Sequence, residues 1–178
     1  GNSELTTFYG GMADISNAIE IGESTLFRVA SISKSFTALG LMKLSDQGLF
    51  SLDDDISEAI GYEVRNPNFP EVPITYRMLL SHQSSLQDGS GYSPFLSATY
   101  TANPIPAIHE VLLENGEFYT SDMWRTEEPG SYFAYSNINY GLIGTLIEAI
   151  SGERFDEYMK SEVLLPLGIN GGYNVAEL

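Results

Sequence analysis

The 178-residue chain contains no cysteine, which excludes both disulfide bonds and a thiolate nucleophile. Basic residues are scarce: 8 lysines and arginines stand against 24 aspartates and glutamates, for a formal net charge of −16. Such an acidic chain is poorly suited to bind nucleic acid or an anionic membrane surface. No apolar run approaches the roughly 20 residues that span a bilayer. These absences argue against nucleic-acid partners and against a membrane-spanning segment.

Apolar residues make up 43% of the chain, which is typical of a globular protein rather than a disordered one. A chain of this length can bury roughly 70% of its unfolded surface in one domain. No internal repeat or low-complexity segment interrupts it. The composition therefore predicts a single domain with a real core and leaves the oligomeric state open.

The most informative segment has the pattern S-x-x-K and runs from Ser31 to Lys34. It follows a short extended run and opens an apolar pattern that predicts a helix over 31–47, with Gly48 as its stop. Lys34 then lies one helical turn from Ser31 on the same face. A lysine amine can take the proton of a serine hydroxyl and make it a nucleophile. The alternative is a serine that caps the helix beside a solvated lysine.

A second polar group, Tyr135 and Asn137, lies between a predicted extended aromatic stretch and a predicted helix over 138–150. A tyrosine near a lysine ammonium ionises more easily and can accept or relay a proton. The amide of Asn137 can hold a substrate carbonyl or orient the lysine. The alternative is a packed tyrosine beside a helix-capping residue.

Three further predictions concern local structure. A short strand is expected near residues 6–10, a helix capped by Thr75 is expected to end at Leu80, and the Ser-, Gly- and Pro-rich residues 87–103 predict a long loop. The run from Asp53 to Asp55 is more typical of a solvated acidic face than of a metal site. The sequence therefore calls for no metal and no cofactor.

His82 invites comparison with a Ser-His-Asp arrangement. It ends a predicted helix, however, and we interpret it as a structural residue that hydrogen-bonds backbone near the site. A plain serine esterase that uses His82 as its base is kept as an alternative. His109 lies on an amphipathic segment and is expected at the surface.

An S-x-x-K segment followed at long range by Y-x-N resembles the order of motifs in penicillin-recognising serine hydrolases. Flanking segments strengthen the resemblance, namely FRVASISKSF (27–36), GLFSLDD (48–54), ITYRMLLSHQSSL (74–86), residues 129–144 and LPLGI (165–169). From about residue 9 to residue 169 the chain resembles the class C β-lactamase-related family. That family also contains D-alanyl-D-alanine carboxypeptidases, D-aminopeptidases and esterases.

The resemblance implies an α/β fold of the α+β type, β-lactamase/transpeptidase-like. The family completes its site with a K-[ST]-G or H-x-G triplet on a strand, and no such triplet follows Asn137 here. We therefore expect residues 1–178 to form a single β-lactamase-like domain, incomplete at both ends. The mainly helical part would be present and most of the antiparallel sheet missing.

The resemblance further implies a serine hydrolase that forms an acyl-enzyme on Ser31. Lys34 and Tyr135 would complete the catalytic set and Asn137 would bind substrate, with no metal. The substrate would be a small molecule or peptide: an ester, a D-amino-acid peptide or a β-lactam amide. The family's usual location implies a periplasmic or secreted protein. The alternative is a catalytically inactive penicillin-binding or sensor module on the same scaffold.

Overall fold

The computed structural model describes residues 6–174, and the chain divides into two compact units after residue 30. The first unit contains an antiparallel hairpin of β1 (Met12–Asp14) and β2 (Ile19–Glu20). Asp14 closes its turn by accepting hydrogen bonds from the backbone N–H and side-chain amide of Asn17, at 3.0 and 2.8 Å. The strand predicted near residues 6–10 is wrong, because the hairpin pairs the residues that follow instead. The expectation of one domain over 1–178 stays a prediction.

The second unit is helical between residues 31 and 174. Its α-helices are α1 (Ser33–Asp46), α2 (Ser57–Ile60), α3 (Tyr76–Leu80), α4 (Tyr92–Thr101), α5 (His109–Leu112), α6 (Asn137–Ser151) and α7 (Phe155–Met159). Two 3-10 turns lie at Ala30–Ile32 and Ser121–Met123, and a π-helical turn at Lys160–Leu164 continues α7. No helix within residues 6–174 is both long enough and apolar enough to cross a bilayer.

Helix α6 forms the centre of the core. Ile138, Leu142 and Leu146 recur every fourth residue and are almost fully buried, so one stripe of the helix faces its neighbours. Helices α1, α2, α3 and α7 pack around it. Gly152 ends α6 in the left-handed conformation (φ 74°), which glycine adopts without steric cost. This packing holds the N-terminal end of α6 beside that of α1.

The helix predicted over 31–47 is confirmed apart from its first turn. That turn is a tighter 3-10 turn, and α1 itself begins at Ser33, so Ser31 lies just before the α-helix. The predicted cap of α3 is also confirmed, since the hydroxyl of Thr75 accepts a hydrogen bond from the backbone N–H of Met78 at 3.3 Å.

The long loop predicted over 87–103 is wrong, because α4 occupies most of that segment. Pro94 lies in the first turn of α4, where a missing backbone N–H costs little. Phe95 is buried and packs against Phe118, with ring centroids 5.8 Å apart. Tertiary burial of an aromatic side chain therefore outweighs the loop-like composition.

The acidic run is held by ion pairs with arginines. Asp53 accepts two hydrogen bonds from Arg77, at 2.7 and 2.8 Å, and Asp55 pairs with Arg65. Asp54 instead accepts a hydrogen bond from the backbone N–H of Ser51 at 2.7 Å. The three aspartates thus serve the structure of the segment before α2.

Two leucines of α1 provide a matched test of the packing. Leu41 is 0% exposed and Leu39 is 51% exposed. We expect Leu41→Ala to lower the free energy of unfolding by about 2–5 kcal/mol, because it leaves a cavity in the core. Leu39→Ala should change it by no more than about 0.5 kcal/mol. Urea denaturation of both variants checks this, and equal losses would contradict the described packing.

Candidate active site

Two helix starts bring the four predicted site residues together. Ser31 lies in the 3-10 turn before α1 and Lys34 in the first turn of α1, while Tyr135 and Asn137 lie at the start of α6. Because α1 and α6 pack against each other, residues more than 100 positions apart in the chain become neighbours.

Ser31 Oγ is the point where these side chains meet. The phenol of Tyr135 donates a hydrogen bond to it at 2.9 Å, and Lys34 Nζ donates to it at 3.3 Å. Lys34 Nζ also donates to Asn137 Oδ1 at 2.8 Å. One hydroxyl, one amine and one phenol therefore share a hydrogen-bonded cluster, with an amide oxygen anchoring the amine.

Aromatic rings surround the amine of Lys34. Its Nζ lies 5.1 Å from the ring centroid of Tyr135 and 5.8 Å from that of Tyr140, within the range of cation–π attraction. Burial raises the pKa of the Tyr140 phenol, which donates to the backbone oxygen of Leu80 at 3.4 Å. Sequence reasoning missed Tyr140. Its spacing of one helical turn after Asn137 was the signal that could have found it.

The surroundings of the Tyr135 phenol favour its ionised form. Hydrogen bonding to Lys34 first, and to Ser31 second, lowers its pKa below the ordinary value. Its side chain is 51% exposed, so a substrate can reach it from solvent. A phenol of lowered pKa next to a hydroxyl can exchange a proton with that hydroxyl more readily.

We expect Lys34→Met to raise the pKa of Tyr135, because the substitution removes the strongest hydrogen bond to the phenolate form. Lys160→Met, at an exposed position after α7, serves as the control and should leave the pKa of Tyr135 unchanged. Titration of the Tyr135 ring carbon by NMR with ¹³C-labelled tyrosine measures both. A pKa that stays the same in Lys34→Met would show that the two groups do not interact.

Asp88 is a second residue that sequence reasoning missed. It comes from the segment before α4, yet its carboxylate accepts hydrogen bonds at the start of α6 from the backbone N–H groups of Asn137 and Ile138, each at 3.0 Å. It also accepts from Ser136 Oγ at 2.9 Å and from Asn137 Nδ2 at 2.7 Å. An aspartate in a polar stretch carries no local sign of such a distant partner.

His82 lies against the cluster and hydrogen-bonds to the start of α6. Its Nδ1 accepts the backbone N–H of Ser136 at 3.3 Å and lies 3.2 Å from the side-chain nitrogen of Asn139. A backbone N–H can only donate, so Nδ1 carries no proton. Burial first, and the charge of Lys34 second, lower the pKa of His82. The predicted backbone hydrogen bond of this histidine is confirmed.

The His82 ring also contacts the phenol ring, since its centroid lies 4.6 Å from that of Tyr135.

Chemically, the cluster offers a hydroxyl nucleophile with two neighbours that can hold a proton. Among residues 6–174, no three histidine, aspartate or glutamate side chains converge as metal ligands.

Comparison with known proteins places the chain in a family. The profile of the Beta-lactamase family matches residues 1–174. Penicillin-binding protein 4* of Bacillus subtilis (strain 168) is 30% identical over 166 residues, which cover 90% of this chain and 33% of that protein. Protein flp of Staphylococcus aureus (strain MRSA252) is 27% identical over 157 residues. The chain spans about a third of the length of these curated relatives.

Solved structures show the same fold over nearly the whole chain. The octameric penicillin-binding protein homologue from Pyrococcus abyssi superposes with a TM-score of 0.70 at 30% identity, covering 94% of this chain and 37% of that one. The D-amino acid amidase from Ochrobactrum anthropi SV3, in complex with L-phenylalanine, gives 0.67 at 29% identity, covering 94% and 43%. The predicted fold is confirmed as β-lactamase/transpeptidase-like, represented here by its mostly helical part. The chain belongs to the beta-lactamase family.

Proposed function

We propose that this chain carries the nucleophile of a serine hydrolase that works through an acyl-enzyme on Ser31. One observation carries the proposal: Ser31 Oγ lies 2.9 Å from the phenol oxygen of Tyr135 and 3.3 Å from Lys34 Nζ. A serine needs a neighbouring base to become nucleophilic. Either Tyr135 or Lys34 can serve as that base once it has lost a proton.

The reaction divides into acylation and deacylation. Ser31 Oγ forms a bond to the substrate carbonyl carbon while its proton passes to Tyr135 or Lys34. The bond to the leaving group then breaks, and the leaving nitrogen or oxygen takes that proton. In the second half a water oxygen bonds to the acyl carbonyl carbon while one of its protons passes to the same pair. The bond between that carbon and Ser31 Oγ then breaks, Oγ takes the proton, and the acid leaves.

Asn137 acts mainly by orienting Lys34 in this proposal. Its Oδ1 accepts from Lys34 and its Nδ2 donates to Asp88, so both ends of the amide have protein partners. A carbonyl oxygen has a second lone pair and the amide nitrogen a second hydrogen, which leaves capacity for the predicted substrate contact.

The proposed acyl donors are esters, D-amino-acid amides or peptides, and β-lactams. Support comes from the family match and from similarity to a D-amino acid amidase and penicillin-binding proteins. Each of these donors presents a carbonyl that a serine can acylate. The proposal keeps the location outside the cytoplasm that the resemblance implies.

Partitioning of a shared acyl group tests the two-step mechanism. D-Phenylalanine amide and D-phenylalanine ethyl ester would both give D-phenylalanyl-Ser31. With hydroxylamine as a competing acceptor, we expect the same ratio of hydroxamate to acid from both donors, after subtraction of the rate seen with Ser31→Ala. Different ratios would contradict a common acyl-enzyme.

The same assay with benzylpenicillin distinguishes the inactive-module alternative. An enzyme takes up the penicilloyl group and releases it, so product continues to form beyond one equivalent. A module without turnover would retain one equivalent, release none and also leave both D-phenylalanine donors unhydrolysed, which would overturn the hydrolase proposal.

A further inference from the structure

We propose that Asp88 is a positioning residue for the Ser31–Lys34 pair and that it acts through the amide of Asn137. This inference rests on the proposed function for its catalytic consequence, but its geometric basis is independent. Asp88 Oδ2 accepts from Asn137 Nδ2 at 2.7 Å, and on the other end of the same amide Asn137 Oδ1 accepts from Lys34 Nζ at 2.8 Å.

The chemistry of a carboxylate fixes which way the amide faces. An ionised aspartate only accepts hydrogen bonds, so it attracts the NH₂ end of Asn137 and repels the oxygen end. The oxygen must then face the amine of Lys34. A flipped amide would bring its NH₂ group against that amine and leave Lys34 without this acceptor. Asp88 therefore determines that Lys34 is held where it can reach Ser31 Oγ.

Asp88 also holds the backbone that carries the amide. Ser136 precedes α6 but makes no side-chain cap to its own helix, and its hydroxyl donates to Asp88 instead. The backbone N–H groups of Asn137 and Ile138 donate to the same carboxylate. Asp88 is solvent-exposed, yet its two oxygens serve four donors of one helix start. An aspartate from another segment thus caps α6 in place of the local serine.

The segment that bears Asp88 is itself held firmly. The backbone N–H of Gln87 donates to the oxygen of Met123 at 2.9 Å. On the other side, a Cβ added to Gly89 would lie 2.5 Å from the backbone oxygen of Asp122, so only glycine allows this close approach. Anchors on both sides of Asp88 fix where its carboxylate can lie.

Replacement by asparagine changes Asp88 as little as possible. Asp88→Asn keeps one of the two oxygens that accept backbone N–H groups at the start of α6, and Tm reports the cost of losing the other acceptor. The substitution replaces one accepting oxygen with a donating NH₂ group, which no longer selects one orientation of the Asn137 amide. Asp54→Asn is the matched control, because Asp54 is an exposed carboxylate that accepts a hydrogen bond from the backbone N–H of Ser51 at 2.7 Å, in the segment before α2.

The experiment measures the rate constant for labelling of Ser31 by a fluorophosphonate in each full-length variant, together with Tm. We expect Asp88→Asn to slow labelling about 10- to 100-fold, the size of effect that a small misplacement of a reacting group produces. Asp54→Asn should label at the wild-type rate. In an Asn137→Ala background, Asp88→Asn should slow labelling by less than about 3-fold, because the residue through which it acts is gone.

Hydrogen exchange at the Asn137 side-chain amide gives a readout that needs no activity. In the wild type this NH₂ group is expected to show protection by NMR. Asp88→Asn should reduce that protection, and Asp54→Asn should not. If Asp88→Asn labelled at the wild-type rate and its Asn137 amide kept its protection, the Asp88 inference would be overturned. If wild-type Ser31 failed to label while the protection changed as expected, the proposed function would fail and the positioning of Asn137 by Asp88 would stand.

Discussion

Ser31→Ala is expected to lower kcat/KM for a D-amino acid amide or ester by about four to six orders of magnitude, the loss seen when a serine nucleophile is removed from a catalytic unit. The physical reason is that no other group in the cluster can form the acyl bond while Lys34 and Tyr135 exchange its proton. Steady-state rates of substrate hydrolysis by the wild type and the variant, measured at equal protein concentration, give the loss.

Ser35→Ala is the matched control for that substitution. Ser35 is an exposed serine one turn further along α1 and should tolerate the change with full activity. Activity of Ser31→Ala within tenfold of the wild type would show that another group carries the reaction.

Lys34→Met is expected to lower the same rate by about 100- to 10,000-fold, the range that a positioned general base contributes. Methionine keeps most of the length of the side chain but can neither take a proton nor donate to Ser31 and Asn137. The pH profile of kcat/KM, measured alongside, reports the ionisations of the remaining groups, because Tyr135 loses the hydrogen bond that lowers its pKa.

Lys160→Met controls for the loss of one positive charge in so acidic a chain and should retain wild-type activity. The esterase alternative predicts the reverse order of sensitivity, with His82→Asn inactive and Lys34→Met active. The structure argues against that order, because His82 Nδ1 already accepts the backbone N–H of Ser136.

Local pattern alone predicted those features whose causes lie within a few residues. The pairing of Ser31 with Lys34 follows from their spacing of three at a helix start, and they lie 3.3 Å apart. The helix over 31–47 and the Thr75 cap likewise depend on neighbours in sequence. By contrast, α4 was missed because its stability comes from burial of Phe95, which no local composition reveals.

Some long-range contacts could be expected from the family resemblance, and others could not. The meeting of Tyr135 with Ser31 could be expected from the order of the two motifs in the resembling family, but not from periodicity. Asp88 and Tyr140 were missed, because the first reaches α6 from 48 residues away and the second is an unremarkable aromatic on a helix. Contacts of this kind depend on tertiary packing: Asp88 reaches α6 from the segment before α4, and Tyr140 on α6 contacts α1 and α3.

Peptide mapping after covalent labelling tests the central claim most directly. The protein is reacted separately with a fluorophosphonate and with benzylpenicillin and then cleaved after Arg28 and Lys34, which yields a peptide of residues 29–34 that contains Ser31 and Ser33. We predict one adduct per chain from the fluorophosphonate, and an adduct at the same site from benzylpenicillin when acid stops the reaction during turnover. Both are assigned by fragmentation to Ser31 and are absent in Ser31→Ala. An adduct on Ser33 or any other serine, or labelling that persists in Ser31→Ala, would contradict the account.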